Sequence, residues 1–356
     1  MGFRPFICRL AGKYGICGEV KNLNNGVAIA VDCDRKTIDS FTNDILELAP
    51  PASRIKAIDL AMKPVAGFDN FSIVTSSLLD DQITEVSPDI AVCEDCIEEM
   101  STDEGRIDYP FINCTNCGPR FSIIMELPYD RPATTMNEFI MCSRCNSEYN
   151  NILDRRFHAQ PVACNNCGPH YILKDNGRVV SDLYDIIAEI SLKVESGECV
   201  AVKGIGGYHL MCNALNEEAV SRLRYRKQRD AKPFAVMFRD LGAVREYCFL
   251  DPDEEEVLTS WRRPVVLLRQ KKQLAYSVSN GLVTTGAMLP YMPFHYLLLR
   301  SLKTPAVVLT SGNLSDEPII TDDDSAEKQL MSVADAIVSA NRKIHNRTDD
   351  SVVRII

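Results

Sequence analysis

Eight cysteines stand in four Cys-x-x-Cys pairs: Cys93 and Cys96, Cys114 and Cys117, Cys142 and Cys145, Cys164 and Cys167. A Cys-x-x-Cys turn places two thiolates on one side of an ion, and two turns complete the tetrahedral four-sulfur site that zinc prefers. The spacing is C-x2-C-x17-C-x2-C, then 24 residues, then C-x2-C-x18-C-x2-C. The pairs lie in an internal repeat: Asn113-Cys114-Thr115-Asn116-Cys117-Gly118-Pro119 returns fifty residues later as Ala163-Cys164-Asn165-Asn166-Cys167-Gly168-Pro169. Redox pairs usually stand singly at a strand–helix junction, so four pairs in a near-repeat indicate metal. The expectation is two structural four-cysteine zinc sites, with consecutive turns paired in the simplest arrangement and interleaved turns as the alternative. A closed four-sulfur site has no open position, so the metal serves folding rather than catalysis. His158, six residues before Cys164, reads as a structural or surface histidine, with a further metal as the other reading.

Other residues suit anions. Arg4, in Phe3-Arg4-Pro5-Phe6, opens a helix, where free backbone N–H groups and a guanidinium make an anion site. Asn22 follows eighteen residues later, and its carboxamide suits the orientation of a water. Taken singly, both are also ordinary surface and turn residues. Lys203-Gly204-Ile205-Gly206-Gly207-Tyr208-His209 is a glycine-rich turn after a strand, with a spacing unlike the Walker loop. Residues 222–232 hold six basic side chains in eleven, among them Lys227, Arg229 and Lys232. Such a run fits a pyrophosphate or triphosphate, and equally a solvated helix face. Thr310-Ser311-Gly312-Asn313 carries a strand into a small-residue turn, offering hydroxyls and N–H groups at a sheet's C-terminal edge. Asp349 and Asp350 are a paired-carboxylate candidate for Mg2+, or simply solvated.

The elements that must position these residues fall into three textures. Residues 1–75 read as a small α/β unit, with helices over 4–14 and 37–48 and strands over 16–22, 26–33, 55–60 and 71–74. Asn24-Asn25-Gly26 is hairpin chemistry, because Asn and Gly tolerate positive φ. Residues 89–172 show little periodicity and contain every Cys-x-x-Cys pair, so metal must supply what a small core lacks. Residues 181–356 alternate helix and strand as a mixed α/β domain, with Ser181 as the cap of a helix over 183–195.

Composition bounds the rest. The 356 residues are 46% hydrophobic and 25% charged, an ordinary globular mixture. Net charge is −10, which argues against non-specific nucleic-acid binding. The longest apolar run, residues 291–299, is far too short to span a membrane. Fourteen cysteines are too few for a disulfide scaffold, and the expected location is the reducing cytoplasm.

These motifs resemble the HypF family of hydrogenase maturation carbamoyltransferases over nearly the whole chain. The repeated Cys-x-x-Cys-Gly-Pro is the most specific mark. Tyr109-Pro110-Phe111 and Arg156-Phe157-His158-Ala159-Gln160-Pro161 are in the same style. Residues 3–74 resemble an acylphosphatase, and residues 181–356 a YrdC-type nucleotide-binding domain through residues 203–210, Lys227-x-Arg229-x-x-Lys232-Pro233, Arg262-Arg263-Pro264, Leu289-Pro290-Tyr291 and Thr310-Ser311-Gly312-Asn313. The implied fold class is α+β multidomain: a ferredoxin-like acylphosphatase unit, zinc-stapled four-cysteine modules and a mixed α/β YrdC-like domain. The implied activity is a relay. Carbamoyl phosphate is cleaved to carbamate and phosphate. Carbamate and ATP, with Mg2+, give carbamoyl adenylate. The carbamoyl group then passes to a cysteine of a HypE-type maturation protein. Arg4 would clamp the acyl phosphate and Asn22 the attacking water. Lys203, Lys227, Arg229, Lys232 and the turn of Thr310, Ser311, Gly312 and Asn313 would bind the nucleotide, with Arg262 and Arg263 as helpers.

Three departures from the family pattern follow. The first strand and phosphate-cradling loop of an acylphosphatase are missing ahead of Gly2-Phe3-Arg4, so that unit is expected to be poorly folded or inactive. No transferase domain follows Ile356, which reads as a fragment or split gene product. Ala340-Asn341-Arg342 stands where the family usually has His-Asn-Arg. Two other readings remain. YrdC-like domains also form threonylcarbamoyl adenylate for tRNA modification, which threonine-dependent ATP use would reveal. A non-catalytic zinc scaffold binding partners or RNA would show salt-dependent RNA binding.

Overall fold

The computed structural model describes residues 2–23, 26–50, 53–74, 86–175, 177–314 and 317–356. At the N-terminus, α1 (Phe3–Tyr14) buries Ile7, Leu10 and Ala11 and stops at Gly15, whose φ of 64° is the left-handed cap that glycine tolerates. The strands β1 (Cys17–Leu23) and β2 (Gly26–Asp32) form the expected antiparallel pair, with Leu23 opposite Gly26. The turn residues Asn24 and Asn25 lie outside the described residues. Next comes α2 (Arg35–Glu47), capped by the Asp34 carboxylate on the Thr37 N–H at 2.8 Å. β3 (Phe71–Ile73) pairs parallel with β1, giving the order β2-β1-β3. Ile7, Leu10, Ile16, Val20, Phe41 and Ile45 form a core between these helices and strands.

The strand expected over residues 55–60 does not form. Ile55 packs on the core, but Ile58 and Leu60 point outward. So short an alternation becomes a strand only where a sheet edge receives it. The chain beyond it, at residues 66–68, is tied by a side chain. The Asp32 carboxylate accepts from the N–H groups of Ala66, Gly67 and Phe68 at 3.1, 2.7 and 3.1 Å.

In the cysteine-rich segment, α3 (Glu94–Thr102) and α4 (Ser143–Asn150) each start one residue after the first cysteine of a set, so Cys93 and Cys142 stand at helix N-termini. Helix N–H groups and dipole there favour thiolate charge. The segment's apolar residues do not form an isolated core. Val92, Met100, Tyr109, Phe111 and Ile112 join Tyr171, Ile186, Phe294 and Leu297 in one cluster with the following unit.

That unit is a ten-stranded mixed sheet in the order β13-β9-β10-β8-β11-β7-β6-β12-β4-β5. Its strands are β4 (Tyr171–Asp175), β5 (Arg178–Val180), β6 (Val200–Lys203), β7 (Tyr208–Asn213), β8 (Ala235–Phe238), β9 (Val265–Arg269), β10 (Thr284–Met288), β11 (Ala306–Ser311), β12 (Ala336–Ala340) and β13 (Val352–Val353). Between them lie α5 (Leu183–Glu195), α6 (Glu217–Arg226), α7 (Leu241–Tyr247), α8 (Pro252–Thr259), α9 (Tyr276–Ser279), α10 (Pro293–Ser301) and α11 (Asp323–Leu330). The sheet begins at Tyr171, ten residues before the expected boundary at 181. The cap of α5 is Asp182, not Ser181: its carboxylate accepts from the N–H groups of Tyr184 and Asp185. Three features place the candidate ligands. β6 and β7 are joined by the glycine-rich turn, β7 pairs with β11, and α6 ends at Lys227.

Candidate functional site

The cysteine turns pair consecutively. Cys93, Cys96, Cys114 and Cys117 form one set and Cys142, Cys145, Cys164 and Cys167 the other, with all ligand atoms of a set within 4.8 Å. In the first set, Sγ separations are 3.7 Å (Cys93–Cys114), 3.8 Å (Cys114–Cys117) and 3.6 Å (Cys96–Cys117). In the second they are 3.7 Å (Cys142–Cys164), 3.8 Å (Cys164–Cys167) and 3.7 Å (Cys145–Cys167). Four sulfurs tetrahedral about zinc at about 2.3 Å lie about 3.8 Å apart. The donor sets therefore fit zinc without rearrangement. Among the described residues no other group gathers three metal-ligating side chains, and His158 joins neither set.

Each set has an arginine that sequence reading missed. Arg155 Nη2 donates to Cys93 Sγ at 3.3 Å and Cys96 Sγ at 3.6 Å, while pairing with Asp95 at 3.0 Å and Glu99 at 2.7 Å. Arg106, completely buried, donates from Nη2 to Cys145 Sγ at 3.4 Å, pairs with Asp103 at 3.0 Å and forks onto Glu148. Such donors offset thiolate charge and fix the ligands. Arg106→Met takes the buried donor from Cys145 Sγ and Ala163 O while Arg144 still pairs with Asp103 and Glu148, and the expected cost is roughly 1–3 kcal/mol. Thermal melts and zinc retention against a competing chelator measure it.

Arg4 and Asn22 come together. Arg4 is buried, and Asn22, with its carboxamide oxygen turned to the guanidinium as the hydrogen-bond environment dictates, accepts from Arg4 Nη2 and Nε at 3.2 Å each. Arg4 Nη2 also pairs with Asp130 Oδ1 at 2.8 Å. They line a cleft of about 1070 Å³ whose wall continues through Tyr129 and His158 of the cysteine-rich segment to Trp261 and Arg262 of the sheet unit. Arg262 stacks on Trp261, 4.2 Å from the ring. His158 in the wall and Asp130 behind Arg4 are thus site residues without a sequence signal for it.

The His158 ring meets Tyr149 and Phe157 at 4.8 and 4.6 Å. Burial, then the Arg4 charge, pushes its pKa down to about 4. The unfolded histidine titrates near 6.5, so the unfolded chain binds the extra proton first. Stability from this group is full above pH 6.5, falls as pH drops from there to about 4, and then levels off. His158→Phe is expected to flatten the melting temperature over that window, read by thermal denaturation at each pH.

The second constellation lies at the end of β11. Lys227 Nζ donates to Ser311 O at 2.6 Å, Asn313 O at 2.8 Å and Asn313 Oδ1 at 2.5 Å. Arg229 Nη1 reaches Thr310 Oγ1 at 3.5 Å, and its guanidinium lies 5.1 Å from the Phe234 ring, which Arg224 approaches at 4.5 Å. A Cβ on Gly312 would lie 2.7 Å from Tyr208 O, so this turn needs glycine. Lys227, Arg229, Thr310, Ser311, Gly312 and Asn313 are thereby one cluster. Lys203 points elsewhere: buried, it binds Ala340 O at 2.8 Å and Asp323 at 2.5 Å. Lys232 enters through its carbonyl, which accepts from Arg224 and Arg229 at 3.1 Å each. Burial, then Arg229, pushes the Lys227 pKa down to about 8. The cluster can hold phosphate oxygens against two cations and a glycine turn.

Comparison with known proteins bears on both sites. The HypF finger family model matches residues 92–124 and 141–173, the two segments that hold the cysteine sets. The acylphosphatase model matches residues 1–73, and the Sua5/YciO/YrdC model, described as telomere recombination, residues 193–356. The carbamoyltransferase HypF of Rhodobacter capsulatus is 41% identical over 356 residues, 100% of this chain and 47% of the relative. This chain belongs to the HypF family. The probable carbamoyltransferase HypF of Methanocaldococcus jannaschii is 42% identical over 361 residues, 99% of this chain and 47% of the relative. A crystal structure of full-length HypF in a phosphate- and nucleotide-bound form superposes with a TM-score of 0.94 at 46% identity, covering 99% of this chain and 46% of that one. The chain spans about half the length of the curated relatives it matches. The likeness extends through all three expected units of this HypF-family chain, and among its described residues no helix is long and apolar enough to cross a membrane.

Proposed function

We propose that this chain carries the first two steps of a carbamoyl transfer: hydrolysis of carbamoyl phosphate to carbamate and phosphate, and condensation of carbamate with ATP to carbamoyl adenylate and pyrophosphate. The observation that carries this reading is the pairing of two anion sites with a HypF-family sequence: Arg4 against Asn22, and Lys227 with Arg229 against the turn after β11. At the first site the Arg4 guanidinium and the N–H groups at the start of α1 stabilise phosphoryl charge, and Asn22 orients the attacking water. Asp130 now holds the guanidinium, so an entering acyl phosphate exchanges with that carboxylate. At the second site Lys227 and Arg229, with the hydroxyls of Thr310 and Ser311, would hold the triphosphate, and Mg2+ carried by the nucleotide would offset its charge. Zinc fills the two four-cysteine sets. Of the three expected units, that over residues 1–75 acts first and that over residues 181–356 second, held together by the zinc-stapled 89–172 in a cytoplasmic enzyme, and the carbamoyl group finally passes to a cysteine of a HypE-type maturation protein.

Carbamate decomposes in water, and the cleft that begins at Arg4 and continues to Trp261 and Arg262 supports a sheltered route between the steps. Arg4→Gln is expected to lower phosphate release from carbamoyl phosphate by roughly 100- to 1000-fold, the scale of losing a charged transition-state donor. Colorimetric phosphate assay measures it. The reading itself is tested by ATP–pyrophosphate exchange. Exchange that requires carbamoyl phosphate supports it. Exchange that requires threonine and bicarbonate instead moves the chain to threonylcarbamoyl-adenylate chemistry.

A further inference from the structure

The glycine-rich turn between β6 and β7 is built around an imidazole. His209 stands on β7 opposite Ser311 of β11, so both side chains share one face of the sheet. A Cβ on Gly204 would lie 2.8 Å from His209 Nδ1 and 3.0 Å from Cε1, and only glycine leaves the ring room. A Cβ on Gly206 would fall 1.6 Å from Thr348 Oγ1, and the Thr348 N–H donates to Gly206 O at 3.1 Å. The turn thus seats the segment from Thr348 to Asp350 beside the end of β7. Asp350 Oδ2 comes within 3.4 Å of His209 Nε2, without the alignment of a hydrogen bond. His295, in the first turn of α10, lies within electrostatic range of both His209 and Asp350, with the Tyr291 ring edge-on to it at 4.6 Å.

Both histidines are buried, at 4% and 2% exposure, yet His209 Nδ1 and Nε2 and His295 Nδ1 have no hydrogen-bond partner among the described residues. Leaving buried polar atoms unpaired costs free energy, and native folds rarely leave three of them without a bound water, ion or ligand. The phosphate-holding Ser311 turn is the neighbour on the next strand.

We propose that His209 and His295, with Asp350, form the subsite that holds carbamate beside the α-phosphate of ATP. The proposal rests on the carbamoyl-adenylate reading above. A neutral imidazole offers one donor and one acceptor. Burial, then the neighbouring His209, pushes the His295 pKa down to about 3, so it is neutral at working pH. Carbamate is planar, with two oxygens that accept and an amino group that donates. Ring N–H groups face the oxygens, and a ring nitrogen or the Asp350 carboxylate faces the amino group. One carbamate oxygen then attacks the α-phosphorus. The bond from that phosphorus to the bridging oxygen breaks, and pyrophosphate leaves with the electron pair. No proton moves to or from the histidines, whose task is to hold and orient.

The test supplies carbamate directly, as ammonium carbamate, to the zinc-loaded full chain and reads ATP–pyrophosphate exchange. His209→Leu removes both ring nitrogens and is expected to cut that exchange roughly 100-fold, the scale of losing hydrogen-bond partners in a buried site. Zinc content, phosphate release from carbamoyl phosphate and affinity for a non-hydrolysable ATP analogue should stay within about two-fold of the parent chain. His209→Gln, whose amide brings a donor and an acceptor near the Nε2 position, should recover part of the exchange. Unchanged exchange in His209→Leu overturns the subsite and leaves the adenylation reading standing. A parallel loss of nucleotide affinity or zinc also overturns it, because the histidine is then structural. Absence of carbamate-driven exchange in the parent chain removes the adenylation reading, and the subsite falls with it.

Discussion

Removal of zinc is expected to unfold the cysteine-rich segment and to destabilise the ten-stranded sheet with it. Structural zinc supplies roughly 10–16 kcal/mol of apparent binding free energy per site, which rivals the total stability of about 5–15 kcal/mol of an ordinary domain. Two sites are present, and the segment's apolar residues share one core with the sheet unit. Phe111 stacks on Tyr171 at 4.7 Å, and Tyr171 packs on Phe294 at 4.4 Å. Losing the segment therefore strips the cover from β4 and α10. A strong chelator should release two zinc ions per chain, lower the melting temperature of the whole sheet unit and expose surface that binds a hydrophobic dye. A chain that melts cooperatively at the same temperature without metal would contradict this.

Lys227→Met is expected to weaken ATP binding by roughly 100-fold or more, because the proposed phosphate site loses a positive charge together with the tie that shapes the turn. Lys227 Nζ makes three contacts to Ser311 and Asn313, so methionine removes both charge and donor while keeping the volume. The lysine also gives binding a pH signature. Its pKa is pushed down to about 8, so the ammonium is charged below that pH and neutral above it. Affinity for the nucleotide should be full below pH 8 and fall as pH rises through it. Lys227→Arg keeps its charge and should lose that dependence. Titration calorimetry at several pH values reads both effects.

Legibility in the sequence followed the range of the interaction that decided each feature. The zinc sets were legible because a thiolate turn is local and Cys-x-x-Cys repeats at near-constant spacing. The same holds for α1, whose apolar spacing and Gly15 stop lie within one segment, and for the hairpin of β1 and β2. Features decided across the chain were hidden. Arg106 meets Glu148 across 42 positions, Arg155 meets Cys93 across 62 and Arg4 meets Asp130 across 126. The segment 55–60 looked like a strand because its alternation was visible and its lack of a receiving edge was not. Strand β12, buried throughout, reads as a plain apolar run whose partners β4 and β6 lie far away in sequence. The glycine-rich turn was read for phosphate from its glycines, whereas Gly204 answers to the His209 ring and Gly206 to Thr348.

The most direct measurement of the central claim is mass spectrometry of the nucleotide products after the zinc-loaded chain is incubated with ATP, Mg2+ and 13C-labelled carbamoyl phosphate. The account predicts AMP carrying a 13C-carbamoyl group, formed together with one phosphate and one pyrophosphate, and absent from Arg4→Gln and Lys227→Met. Pyrophosphate and AMP released without that adduct, or an adduct that forms only with threonine and bicarbonate, would contradict it.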